Sequence, residues 1–253
     1  MRHFVTTILA VLLAANCVWA QTKKQTQPKK QPDYPPVMEG AIVETYQKMG
    51  QTELKVWIFK PADHKASDKR PAVVFFFGGG WKNGTPKQFE QHCRHLVKRG
   101  VVAMTADYRV SSRNKTKVMA CVEDGKSAVR WIRRNAARLG VDPNRIVAGG
   151  GSAGGHVAAC TGVINGFEVG ETQISSRPNA LALFNPALVL ATTPEMQLDA
   201  ERTSTLEERM GVVPEKLSPW HHVKQRQPPT IIFHGKADTV SYTHLTLPTK
   251  RIV

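Results

Sequence analysis

The stretch that most constrains this 253-residue chain is Ala148-Gly149-Gly150-Gly151-Ser152-Ala153-Gly154-Gly155-His156. It holds a G-x-S-x-G pattern (Gly150, Ser152, Gly154) between an apolar strand pattern at 145–148 and a small-residue helix pattern starting near Ser152. A serine on a sharp strand-to-helix turn needs glycines beside it, because side chains there collide with the adjoining strand and helix. The N-terminus of the following helix favours negative charge developing next to it. Ser152 is therefore the candidate nucleophile, and the fold must supply a strand, a tight turn and a helix in that order.

The N-terminus reads as an export signal: Met1-Arg2-His3 is basic, residues 4–15 are apolar, and Val18-Trp19-Ala20 fits a small-x-small cleavage site. The apolar run is short for a membrane span, and Asn16 does not fit the position before a lipid-bearing Cys17. No stable membrane anchor is expected after cleavage at 20. The mature chain keeps Cys93, Cys121 and Cys160, which allow one disulfide in an oxidising compartment without saying which pair. His92 and His95 around Cys93 read as solvated helix positions, and no spacing reads as a metal site.

The net charge of +15 suggests nucleic acid until it is located. Part of it sits outside the body, on Arg2, on Lys23, Lys24, Lys29 and Lys30 against Asp33, and on Lys250 and Arg251. No aromatic-interleaved basic patch accompanies the remainder, so no nucleic-acid partner is expected; a basic surface facing anionic envelope material fits better. Residues 21–36 are rich in Lys, Gln and Pro and read as a disordered linker. The single domain is expected over 37–239.

Within it, 40–47 and 54–59 alternate as a half-exposed antiparallel pair should. Residues 72–77 are apolar throughout, the pattern of a strand covered on both faces. A helix is expected over 87–99, a strand over 101–106, one long helix over 117–139, a strand over 145–149 and a helix over 153–160. Further strands fall at 180–184 and 230–233, with a polar cap or lid between 187 and 229. The fold class is α/β, a mostly parallel central sheet with helices on both faces.

Two more motifs carry chemistry. Phe77-Gly78-Gly79-Gly80-Trp81 ends the third strand, and its glycines let backbone N–H groups face a ligand. Gly79 and Gly80, with the N–H of Ala153, can form an oxyanion hole. His234-Gly235-Lys236-Ala237-Asp238 follows the last strand, where an aspartate can orient a histidine. Asp107 reads as a loop position and Asp124 as a helix residue, both upstream of the serine.

Residues 75–84, 106–110, 142–145 leading into 150–156, and 234–238 together resemble the α/β-hydrolase family. The likeness is greatest to its esterase branch of hormone-sensitive-lipase-like and acetylxylan- or feruloyl-esterase-like enzymes. Phe77 stands where many relatives have His. The resemblance implies a catalytic histidine some tens of residues after the acid, beyond another strand. Only His244 follows Asp238, too soon to have crossed such a strand, while His156, His221, His222 and His234 precede the acid. Residues 240–249 translate a DNA string resembling the reverse complement of a common transposase sequencing adapter. Native sequence is accordingly expected to end near Asp238, with a final strand, helix and the histidine missing.

The resemblance implies an exported serine esterase using Ser152, Asp238 and the Gly79, Gly80 and Ala153 N–H groups, with no metal or organic cofactor. Its expected substrate is a small acyl ester, such as acetyl or feruloyl groups on polysaccharide, and the chain as written is expected to be inactive. A prolyl-oligopeptidase-like peptidase and a non-catalytic binding relative are the competing readings. A peptidase would usually carry a propeller ahead of the domain, and a binding relative would tolerate loss of the serine or glycines.

Overall fold

Among the described residues the first regular element is a hairpin: β1 (Ile42–Met49) turns through Gly50, at φ 56°, into antiparallel β2 (Thr52–Phe59). A computed structural model describes residues 34–170, 172–235 and 238. The expected export signal, nearly all of the linker and the tail from 240 lie outside the described residues, as does His244. All elements belong to the unit beginning at Pro36.

After the hairpin come β3 (Arg70–Phe76), α1 (Glu90–Val97), β4 (Val102–Ala106), α2 (Ser111–Asn114) and α3 (Val118–Arg134). Then follow α4 (Ala136–Leu139), β5 (Val141–Gly151), α5 (Ala153–Val163) and β6 (Ala180–Phe184). The last are α6 (Ala200–Met210), α7 (Pro219–His222) and β7 (Thr230–Phe233). The sheet order is β1-β2-β4-β3-β5-β6-β7, antiparallel between β1, β2 and β4 and parallel from β4 to β7. The expected α/β fold is the observed one.

The apolar run of β3 is explained by its two covered faces. Successive strand residues point to opposite sides, so Ala72, Val74 and Phe76 join the large core with α3 and α5. Val73 and Phe75 join Phe89 and Cys93 in a second core. At the outer edge, β7 leaves Ile231 53% and Phe233 49% exposed.

Three expectations need correction. The long helix breaks at Asn135, whose Nδ2 donates to Trp131 O at 2.8 Å while its backbone leaves the helical region. An Asn amide offers the backbone an alternative partner in just this way. The helix expected from 87 begins as a 3₁₀ turn over Pro86–Phe89, and β5 starts at Val141, four residues early. The polar 187–229 stretch holds α6, capped by Asp199 accepting from Arg202 N at 2.7 Å and closed by Gly211 at φ 80°. Cys93, Cys121 and Cys160 are all buried free thiols, so the disulfide that the sequence permits is not formed. His92 and His95 are exposed as expected, whereas Cys93 is fully buried.

His156, fully buried in α5, ties three segments together. Its Nδ1 accepts from Trp81 Nε1 at 3.1 Å, which leaves Nε2–H to donate to Leu217 O at 2.7 Å. Burial lowers its pKa from 6.5 to about 4, so it is neutral where an exposed histidine charges.

Two predictions follow from this packing. A Cβ on Gly125 of α3 would lie 2.5 Å from Val157 Cγ1 of α5. Helix propensity favours Gly125→Ala by about 1 kcal/mol, but overpacking costs about 1–3 kcal/mol. The substitution is expected to lower stability by about 1 kcal/mol in urea unfolding, and a gain would refute the close approach. For His156, the folded pKa is depressed, so stability present above pH 6.5 is lost as pH falls towards about 4. Between those limits wild type should lose about 3 kcal/mol more than His156→Gln; parallel curves would show that the imidazole does not stay neutral.

Candidate active site

The parallel register brings the sequence motifs to one edge. Phe76 pairs with Ala106 and Gly150, Gly151 with Phe184, and Phe184 with Phe233. Each of these residues lies at the carboxyl end of its strand. The segments that follow them hold Gly78–Gly80, Asp107, Ser152 and Asp238, and ligands in open α/β sheets bind outside this edge.

Ser152 is strained. Its φ of 51° and ψ of −116° are rarely adopted by a residue with a side chain. The strain is held by contacts that only glycine permits. A Cβ at Gly154 would fall 2.1 Å from Phe76 O and 2.3 Å from Phe77 O, and one at Gly150 would fall 2.5 Å from Gly154 O. Ser152 N donates to Phe184 O at 3.0 Å, and Ser152 O accepts from His156 N at 3.0 Å. The side chain is left half-exposed at the start of α5, where Ala153 N–H has no intrahelical acceptor.

The glycine loop lies against this turn. A Cβ on Gly78 would meet Gly151 O at 3.0 Å and Ser152 Cβ at 3.5 Å. Gly79, Gly80 and Trp81 run at φ 130°, 61° and 57°. Most of the loop's carbonyls are occupied. Tyr108 Oη–H donates to Phe77 O at 2.7 Å. Lys82 N and Asn83 N each donate to Gly79 O at 3.1 Å. Arg209 Nη2 donates to Gly80 O. Ser111 N donates to Trp81 O and Ser112 N to Lys82 O, both at 3.0 Å. The N–H groups of Gly79 and Gly80, by contrast, donate to no backbone carbonyl among the described residues. A loop pinned by its acceptors with donors spare is preorganised for an anion.

Behind the loop, Asp124 is fully buried and accepts from Arg109 N at 2.9 Å and from Arg109 Nη2 at 2.8 Å. Arg113 Nη2 pairs with Asp107 Oδ1 at 2.9 Å. Burial raises the pKa of both carboxyls, that of Asp107 to about 7, and the arginines oppose it. Asp124 is a helix residue and Asp107 a loop residue, as expected, and both serve this support.

Asp238 sits past β7 on the same edge, with His234 Nε2 3.9 Å from its Oδ2. Most of the described histidines are occupied elsewhere. Both His156 nitrogens are bonded, while His64, His221 and His222 pair with the carbonyls of Leu139, Thr192 and Glu215. Among the described residues no three His, Cys, Asp or Glu side chains gather as metal ligands. Arg209 and Trp81 were not singled out from sequence. The Asp199 cap and Gly211 stop could have revealed the helix carrying Arg209, but nothing in sequence ties position 209 to position 80.

A family model described as BD-FAE matches residues 57–246. Carboxylesterase NlhH of Mycobacterium tuberculosis is 35% identical over 111 residues, 44% of this chain and 34% of that protein. The match thus spans about a third of that curated relative's length. Among solved structures, native esterase Est2 of Thermogutta terrifontis is 50% identical with a TM-score of 0.79, covering 83% of this chain and 76% of that one. Its butyrate-bound form is 51% identical with a TM-score of 0.78, covering 82% and 76%. A strained serine between glycines, a donor-bearing glycine loop beside it and these matches lead to one conclusion: the chain belongs to the α/β-hydrolase esterase/lipase family, within its BD-FAE group.

Proposed function

We propose that this protein hydrolyses carboxylic esters of small acyl groups. The observation that carries the reading is Ser152, held at φ 51° at the sheet's carboxyl edge beside a loop with spare N–H donors. Ser152 Oγ attacks the acyl carbonyl, and the alcohol leaves as an acyl-serine forms, which water then cleaves. The N–H groups of Gly79, Gly80 and Ala153 hold the negative oxygen of each tetrahedral intermediate; such a donor contributes about 3–4 kcal/mol. Asp238 orients the histidine that takes the serine proton. That histidine is assigned outside the described residues: His156, His221 and His222 are bonded to other groups, and His234, although 3.9 Å from Asp238, precedes the acid in the chain.

The propionate-bound and butyrate-bound forms of the Thermogutta terrifontis esterase support a short acyl group here. The basic and apolar pattern of the first twenty residues supports export, and with it an acetylated or feruloylated polysaccharide as the natural ester.

In the full-length protein, Ser152→Ala is expected to cut p-nitrophenyl acetate and butyrate hydrolysis by roughly 10⁵-fold. Acetate should be released from acetylated xylan only by the wild type. Turnover retained in the variant would remove Ser152 from its role. Residues 21–253 expressed alone should show no measurable turnover; an active product would place the base on one of the histidines within it.

A further inference from the structure

Among the described residues, the Gly78–Trp81 loop is joined to the region between β6 and β7 at one polar point, and that point is a side chain. We propose that Arg209 of α6 is a positioning residue that braces the turn on which the Gly80 N–H is aimed; this rests on the reading of Gly79 and Gly80 as oxyanion donors. Three successive left-handed residues, Gly79, Gly80 and Trp81, form a segment that the chain does not hold unaided. Each of its peptide planes therefore needs an outside partner. The Gly79 carbonyl takes Lys82 N and Asn83 N, and the Trp81 carbonyl takes Ser111 N, all backbone donors close to the loop. The Gly80 carbonyl takes the guanidinium of Arg209, its one partner among the described residues.

Arg209 also grips the next residue. Its guanidinium carbon lies 5.3 Å from the centre of the Trp81 ring, within cation–π range. The Trp81 indole N–H is fixed in turn on His156. One side chain thus holds the peptide between Gly80 and Trp81 from its oxygen and from its ring. The Gly80 N–H lies in the peptide of the Gly79 carbonyl, whose bonds from Lys82 N and Asn83 N close a turn through Gly80 and Trp81. Without Arg209 the middle of that turn loses its hold, and rotation at the glycines would loosen the closure that aims the N–H.

The helix that carries Arg209 is firmly seated. Met210 is fully buried and Leu206 nearly so. Lys117 Nζ donates to Glu208 O at 2.7 Å, and Gly211 packs so closely on Lys117 that a Cβ would lie 2.8 Å from its Cβ. A seated helix transmits its position to the loop. The guanidinium charge beside the loop adds to the field that favours an oxyanion.

An interaction that acts on the transition state lowers kcat and leaves KM nearly unchanged when it is removed. In the full-length protein, Arg209→Met is expected to lower kcat for p-nitrophenyl butyrate by about tenfold to a hundredfold, a fraction of the effect of deleting a donor. KM should stay within about twofold, and a trifluoromethyl ketone transition-state analogue should weaken in step with kcat. Arg209→Lys, which keeps one donor, should recover much of the loss and remains informative if the Met variant does not accumulate. Lys117→Met removes one tie of the same helix without touching Gly80; buried Leu206 and Met210 keep the helix in place, so Tm should fall while kcat stays within about twofold. A kcat loss equal in Lys117→Met and Arg209→Met would overturn the inference, as would a change in KM alone. If Ser152→Ala abolishes turnover while Arg209→Met turns over like wild type, only the positioning role fails. If Ser152→Ala stays active, the underlying reading fails first.

Discussion

The backbone contact between the first turn of α5 and the end of β3 sets the geometry on which the remainder of the site depends. Gly154 stands so close to the carbonyls of Phe76 and Phe77 that only hydrogens fit between them. This approach forces the chain to reverse within one residue, and that residue is Ser152. A side chain in such a conformation costs about 1–3 kcal/mol. Several groups around the turn offset the cost. Ser152 N is bonded to Phe184 O, and α5 is buried along nearly its whole length, so its packing energy fixes the turn at its base. The strain persists because the sheet and the helix each have only one place to go.

A second layer holds the glycine loop from behind. Arg109 and Asp124 form a buried pair, Arg113 and Asp107 another, and Tyr108 between them reaches Phe77 O. Buried ion pairs add little net stability, because desolvation cancels most of the attraction. Their effect here is geometric. Asp124 accepts from the Arg109 backbone N–H as well as its side chain, so the segment after β4 is fixed in both path and orientation. Arg113 Nη1 reaches across to Gly84 O, closing the loop at its far end.

The sequence made the sheet and the elbow legible because both rest on local patterns. The apolar run of β3 leaves the strand no surface to expose, short apolar runs mark β6 and β7, and the glycines around Ser152 have no other economical explanation. What stayed hidden was non-local or polar. The start of β5 is masked by Asp142-Pro143-Asn144, which lies in the bulge where the register steps from Arg70–Val141 to Ala72–Ile146. Only Leu206 and Met210 of α6 are buried, too few to show a helical stripe. The link from Arg209 to Gly80 spans 129 positions and obeys no spacing rule. His156 reads from sequence as a small-helix residue near the nucleophile, and only the tertiary fold shows it to be a neutral tie.

Magnitudes indicate why such a site is built from backbone. The strain at Ser152 is about 1–3 kcal/mol, and an aimed oxyanion donor returns about 3–4 kcal/mol in the transition state alone. The two terms act on different states, so strain spent on the folded enzyme can raise the rate without tightening substrate binding. The exchange works only if the donors do not relax when the substrate arrives. Glycines supply the required backbone path but no rigidity of their own. Rigidity must come from the groups that donate to the loop's carbonyls: Tyr108 on Phe77, the local amides on Gly79 and Trp81, and Arg209 on Gly80. Three of these restraints come from the α/β core and its adjoining loop, and the fourth from the segment between β6 and β7. On the proposed roles of Gly79, Gly80 and Ser152, variation in that segment can therefore alter the aim of the donors while leaving Ser152 and its sheet unchanged.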